Sequence, residues 1–414
     1  MVQSKLRLYD EAVQRSPFAA YAEAHGDGPI FWDEESQAYI VLGYDEIRAA
    51  AADPQTFSSI TGRLLVKQAP WQDEVDAIFA EHGVLPTNTL VVADPPLHSF
   101  HRGLVDKAFT PSRVRKMEEY LRDVVNELVD EVIDRGEVEF CQELAVKIPT
   151  YIIADQLGIA RSEYATFRRW SESVIRESDP ANSRERQLEI TRTICDLQRY
   201  IIDRANEYRK SPSDNMLSDL VRARDADGRA LNDRELASMV LQILVAGNDT
   251  TTSAMSSGMY RLIKSPGLED RLRADPALIG NFVEEILRHD APIQGLWRRV
   301  TRDTVLGGTA LREGDIVVLR FGAGNHDPDQ FPDPGQIDPA RRNARNHLAF
   351  GTGPHFCVGN QLARAELRNS FAIFLDRMRN FRLARGEDGV EFVTTYIAFG
   401  VQRLEMCFER NDPA

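Results

Sequence analysis

Long apolar runs are missing from this 414-residue sequence. No stretch approaches the roughly 20 apolar residues that cross a bilayer, and the opening MVQSKLRLYDEAVQRSPF lacks the apolar core of a signal peptide. A cytoplasmic protein without a membrane anchor is the expectation. Positive charge is in deficit: 50 Lys and Arg stand against 64 Asp and Glu, a net charge of -14, which argues against general attraction to nucleic acid or anionic lipid. Cysteine is scarce. Cys141, Cys195, Cys357 and Cys407 lie far apart with no CxxC pair, which excludes a disulfide scaffold and a zinc module of ordinary spacing. Repeats, low-complexity runs and long Gly/Ser linkers are absent, so one large domain over residues 1–414 is the simplest organisation. With 43% apolar residues, such a chain can bury a large core.

What is present is mostly helix. GPIFWD and AYIVLGY, ending at Tyr44, predict early strands, rich in β-branched and aromatic residues between Gly28-Pro29 and Asp45. Loops around one short helix, from about Trp71 to His82, follow. From Pro111 to about Ser265 the pattern is helical, broken at Gly136, Gly158, Pro180, Pro212 and Gly228. Asn232 and Glu235 form an N-cap pattern that opens a helix running to about Lys264. Its middle, MVLQILVAG, is apolar nearly all round, as in a helix crossing the interior. It is then interrupted by Asn248, Asp249, Thr250, Thr251 and Thr252. A helix beginning at Asp275-Pro276 ends before Pro292, and strands with turns at Gly307-Gly308 and Glu313-Gly314 come next. An irregular Pro-rich stretch then leads to a last helix beyond Cys357. The fold class expected is mainly α with small sheets (α+β), β-rich at about 28–62 and 298–322 and helical at about 98–292 and 358–380.

The chemistry centres on FGTGPHFCVG, Phe350 to Gly359, a glycine-punctuated turn holding one cysteine before a helix. A helix N-terminus and nearby backbone N–H groups stabilise a thiolate there, and Gly353 and Gly359 let backbone lie close to a flat ligand. A cysteine taken alone is more often an inert core residue. The pattern FxxGxxxCxG at Phe350, Gly353, Cys357 and Gly359 resembles the haem-binding loop of the cytochrome P450 family. The resemblance implies that family's fold, with haem b between the long central helix and the cysteine-loop helix, and Cys357 as axial iron ligand.

Four further segments in the same order carry the resemblance along nearly the whole chain. Glu285 and Arg288 form an ExxR pair on one helix face, similar to the family's buried lock behind the cysteine loop. Arg341, three residues after Asp338, is the candidate third member, with Arg342 as the alternative. The segment DPPLHSFHR from Asp94 to Arg102 resembles the family's DPPxHxxxR, implying that His98 and Arg102 donate to haem propionates. Arg298 matches a propionate-binding arginine opening a strand, with Arg299 on the opposite face, and His355 matches a further propionate contact. Ala246-Gly247-Asn248-Asp249-Thr250-Thr251 resembles the oxygen-activation motif. Small residues at Ala246 and Gly247 leave space for dioxygen, Asp249 relays protons and Thr250 holds the oxygen species or a water. Asn248 is assigned no role.

By the same resemblance, Leu244, Val245, Ile293, Leu296, Trp297 and Ile397 line a pocket for a largely apolar substrate. Terpenoid, steroid, fatty-acid-derived and aromatic compounds all remain open. Arg63 and Lys67 are candidates to capture a carboxylate, though solvated loop charges are the commoner case. The chain leaves no length for a reductase domain after its last strands, so the resemblance implies a separate ferredoxin with an NAD(P)H-dependent reductase. Arg113, Arg115, Arg364 and Arg368 are candidates for its docking face. O2 is the co-substrate and a monomer is expected. Rival readings are a peroxide-dependent peroxygenase, against which the acid–alcohol pair counts, and a haem gas sensor, against which thiolate ligation counts.

Overall fold

The central helix begins where its capping box directs. Asn232 Oδ1 accepts from the Glu235 N–H at 2.9 Å and Glu235 Oε2 accepts from the Asn232 N–H at 3.0 Å, so each side-chain oxygen satisfies the other residue's otherwise orphaned N–H. The helix then runs unbroken over Asp233–Lys264, 32 residues. The computed structural model describes residues 7–61, 70–177, 182–393 and 395–411. Arg63 and Lys67 lie outside the described residues.

The chain packs as two compact units. The larger comprises residues 1–58, 116–149 and 249–414; the smaller comprises residues 59–115 and 150–248. The smaller unit is helical, with Gln72–His82, Leu97–Val105, Tyr164–Arg176 and Arg184–Lys210 as its longest complete helices among the described residues. The central helix contributes residues to both units.

The larger unit holds the sheets. Strands β1 (Ile30–Asp33), β2 (Ala38–Val41), β3 (Phe57–Ser58), β5 (Leu296–Val300) and β8 (Ile316–Leu319) order as β1-β2-β8-β5-β3. Among the described residues of this sheet, β2–β8 pair parallel and the other neighbours antiparallel. Strands β6 (Thr304–Leu306) and β7 (Thr309–Leu311) form a hairpin. Its Gly307 and Gly308 both take positive φ, as a tight two-residue hairpin turn requires. A second sheet joins β4 (Glu137–Glu139), β9 (Met378–Leu383), β10 (Val390–Phe392) and β11 (Val401–Arg410). The larger unit also carries the helices Pro111–Asp130, assigned to it from Lys116 onward, Ile279–His289 and Asn360–Arg377.

Two local expectations change. The strand expected to reach Tyr44 stops at Val41, and Tyr44 instead opens the helix Tyr44–Ala52. Asp45 and Glu46 occupy its first turn, where acids complement the helix N-terminus. Strand β4, three residues within a segment read as helical, is too short to carry a period-2 signal; pairing of Glu139 with Glu405 and Val138 with Met406 defines it.

Candidate functional site

The cysteine loop is built by backbone. The Cys357 N–H donates to Phe350 O at 2.8 Å, and Asn360 Nδ2 donates to Cys357 O at 2.7 Å. Gly359 caps the helix Asn360–Arg377, so Cys357 sits just ahead of that helix's N-terminus. Gly353 adopts φ +69°, and a Cβ there would stand 2.6 Å from Ala51 O. Both facts demand glycine. Phe350 is half-buried, with the Arg364 guanidinium 4.4 Å over its ring, and His355 is half-buried two residues before the cysteine.

Behind the loop lies a cluster of charges that is fully paired. Glu285 and Arg288 are completely buried and joined by two hydrogen bonds of 2.7 and 2.9 Å. Arg341 Nε donates to Glu285 Oε1 at 2.8 Å and reaches the carbonyls of Pro332, Asp333 and Gln336, whereas Arg342 is exposed. Arg288 also donates to Asn325 O and Gln336 O, which ties the irregular stretch to the helix Ile279–His289. Glu284, the neighbour the motif does not mention, makes a second node with Arg364 at 2.8 and 3.0 Å and with His347 at 3.2 Å. Burial raises the Glu284 carboxyl, but the hydrogen bonds from His347 and Arg364 outweigh it and hold it at about 2.

The other cationic candidates are distributed between the units. In the larger, Arg298 is buried on β5 and Arg299 exposed, on opposite faces as strand geometry requires. Arg298 Nη1 donates to Trp297 O at 2.7 Å. In the smaller, His98 is buried, and burial followed by the nearby Arg102 charge lowers its pKa. A neutral imidazole there still donates an N–H. Arg102 Nε binds Asp106 at 2.8 Å.

The polar interruption of the central helix is resolved residue by residue. Asn248 Nδ2 donates to Ser171 Oγ at 2.9 Å. Thr251 is buried and hydrogen-bonds Glu366, and Thr252 Oγ1 donates to Ala145 O at 3.1 Å. These two threonines therefore bridge to other elements instead of bonding back along the helix. Asp249 and Thr250 keep accessible surface, as do Gln242, Val245, Ala246 and Gly247, while Val240, Leu241, Ile243 and Leu244 are buried. Asp249 touches open volume yet is surrounded closely enough that desolvation pushes its carboxyl up to about 6.

Glu366 was not singled out from the sequence. It is almost fully buried nine residues after Cys357, and burial pushes its carboxyl up to about 8 against the hydrogen bond from Thr251. The signal was its helical phase: it lies among Ala365, Leu367 and Ser370, all buried.

The pocket candidates divide. Val245, Ile293, Leu296, Trp297 and Ile397 are half-buried. Leu244 is completely buried, because it lies about 200° round the helix from Gln242 and faces the core. Of the four docking arginines, Arg364 is committed to Glu284, and Arg113 binds Asp214 and Asp219. Arg115 is exposed and Arg368 half-buried.

The residues present fit a haem. A Cβ added at Gly247 would meet nothing within 4 Å, so protein leaves the space beside this helix unfilled. Among the described residues no group of three or more His, Cys, Asp or Glu converges to hold a metal. A metal on Cys357 would have to bring its other ligands with it, as a porphyrin does. No helix among the described residues is long and apolar enough to cross a membrane.

Comparison with known proteins is consistent with this chemistry. The family model described as Cytochrome P450 matches residues 181–391. Cytochrome P450 monooxygenase PikC of Streptomyces venezuelae is 32% identical over 89% of this chain and 85% of its own length. A Steroid C26-monooxygenase of Mycobacterium tuberculosis is 32% identical over 96% and 95%. Among solved structures, cytochrome P450 CREJ in complex with (4-ethylphenyl) dihydrogen phosphate superposes with a TM-score of 0.88 at 28% identity, covering 98% of this chain and 100% of that one.

Proposed function

This chain belongs to the cytochrome P450 family and is a monooxygenase of that fold, and on that premise we propose how its own residues divide the work. Haem, when bound, supplies the oxygen-activating chemistry. Cys357 Sγ would hold its iron as a thiolate; His98, Arg102, Arg298 and His355 would pair with its carboxylates, and Phe350, Gly359 and Ala246 would pack against it. Glu285, Arg288 and Arg341 lock the segment behind the cysteine loop. Asp249 takes up and passes on a proton at its carboxyl, and Thr250 positions the acceptor through Oγ1.

The observation that carries this reading is the acid–alcohol pair. Asp249 and Thr250 keep accessible surface on the central helix, as Ala246 and Gly247 beside them do, and Asp249 has its carboxyl raised towards neutrality. A group that titrates near working pH is suited to proton relay. The substrate is a largely apolar small molecule, bordered by Val245, Ile293, Leu296, Trp297 and Ile397. Relatives named Steroid C26-monooxygenase and Vitamin D(3) 25-hydroxylase agree with that class. Electrons come from a separate ferredoxin and its NAD(P)H-dependent reductase, in the cytoplasm, and the chain acts as one domain and a monomer.

The test compares substrate oxidation by the purified holoenzyme with a ferredoxin–reductase pair and O2 against oxidation with hydrogen peroxide alone. Turnover with the protein donors should dominate, and the reduced carbon monoxide complex should show a red-shifted absorption that Cys357→Ala removes. Efficient turnover with peroxide alone favours a peroxygenase instead, and persistence of the absorption in Cys357→Ala removes the ligand assignment.

A further inference from the structure

The apolar run from Met239 to Gly247 contains one polar side chain, Gln242. It retains accessible surface while Met239, Val240, Leu241, Ile243 and Leu244 around it are buried. Its Oε1 is enclosed and has no hydrogen-bond partner. A carboxamide oxygen enclosed without a donor loses its hydration for nothing in return, unless something else arrives to bond the group.

Helix geometry gives the direction. Gln242, Ala246 and Asp249 are spaced i, i+4, i+7 and share one face of one continuous helix. That face carries the accessible residues of its middle section. Seven residues at about 1.5 Å rise separate Gln242 from Asp249 by roughly 10 Å along the axis. The carboxamide thus faces the same side as the proposed proton relay, about two turns away. A Leu or Met at this position would fill similar volume with no unsatisfied atom, so the amide's polarity is what calls for a ligand.

We propose that Gln242 is a specificity-determining residue that hydrogen-bonds an oxygen function, a hydroxyl above all, on an otherwise apolar substrate. Its bonding position lies roughly 10 Å along the helix axis from Asp249. A hydroxyl both donates and accepts, so it satisfies the carboxamide in either orientation of its oxygen and nitrogen. The inference rests on the monooxygenase reading above and narrows its substrate class from apolar to apolar with one remote oxygen.

The test uses matched ligands on the holoenzyme: testosterone against its 17-deoxy analogue, 1-dodecanol against dodecane, and cedrol against cedrane. Affinity is measured by equilibrium dialysis, which does not depend on the iron. Wild type should bind the hydroxylated member of at least one pair about tenfold more tightly. Gln242→Leu, and Gln242→Met as an unbranched second replacement, should bring that ratio to about one while keeping affinity for the hydrocarbon. Absence of any preference in wild type across all pairs overturns the proposal, and so does a preference that survives in both variants. If the Cys357-dependent absorption is intact while the ratio fails to change, Gln242 alone is wrong. If the absorption is missing, the haem–thiolate reading fails and the dialysis ratio still decides Gln242.

Discussion

Two groups of polar side chains in this protein are built on opposite terms. Behind the cysteine loop, Glu284, Glu285, Arg288, Arg341, His347 and Arg364 are buried or nearly so, and each charge meets an opposite charge or a carbonyl. On the accessible face of the central helix, Asp249 has its carboxyl raised by desolvation, and Gln242 holds an enclosed oxygen with no partner. Complete pairing spends the polarity within the fold and leaves a rigid assembly. Incomplete pairing on an accessible face keeps polarity available to a ligand or a proton. The contrast separates polar groups that hold structure from those proposed here for chemistry, and it does so without reference to residue type.

Substitutions in the two regions should therefore fail differently. Glu285→Ala leaves Arg288 and Arg341 without their carboxylate, and should cost roughly 3–5 kcal/mol of stability together with haem loading. Denaturant melts and haem content measure this, and a fully loaded variant of normal stability would break the comparison. Asp249→Asn should do the reverse. Loading and stability should hold while coupled turnover falls about 100-fold, and Thr250→Ala should divert reducing equivalents to peroxide. Loss of folding in Asp249→Asn would mean that the accessible acid is structural after all.

Glu366 stands between the two regimes, buried with a hydrogen bond from Thr251, and pH sharpens the comparison there. Its carboxyl is at about 8 in the folded chain against an ordinary 4.5. The folded chain thus keeps a proton that the unfolded chain has released, and stability should fall as pH rises from about 4.5 to 8, then level off. Glu366→Gln should flatten that slope by at most about 1.4 kcal/mol per pH unit, read from urea melts at pH 5 and pH 8. Equal slopes would place an unseen partner on the carboxylate. The smallest effect belongs to the capping box: Asn232→Ala should cost about 1 kcal/mol, visible as a lower midpoint of thermal unfolding with turnover per haem unchanged.

Much of this was legible before the structure. The capping box at Asn232 and Glu235 located the longest helix to its last turn, because cap and period are local signals. The cysteine loop and the ExxR pair were legible because each is a short motif whose parts meet through one turn or one helix face. Strand β4 was not legible, since three residues carry no period and only pairing with β11 defines it. The ion pair of Arg364 was not legible for the same reason. Its partner Glu284 lies 80 residues away, and exposure cannot be deduced from residue type.

The sequence by itself determined which residues the proposed chemistry draws on: the thiol at Cys357, and the acid and alcohol at Asp249 and Thr250 with the apolar helix that carries those two. Their spacing is covalent and helical geometry translates it directly into faces and turns. Only the tertiary structure decided which polar atoms are spent and which remain. Arg341 rather than Arg342 closes the lock, Thr251 turns to Glu366, and Gln242 faces the accessible side with its oxygen unmet. Satisfaction of a buried polar group depends on what distant segments bring to it, and no local pattern encodes that.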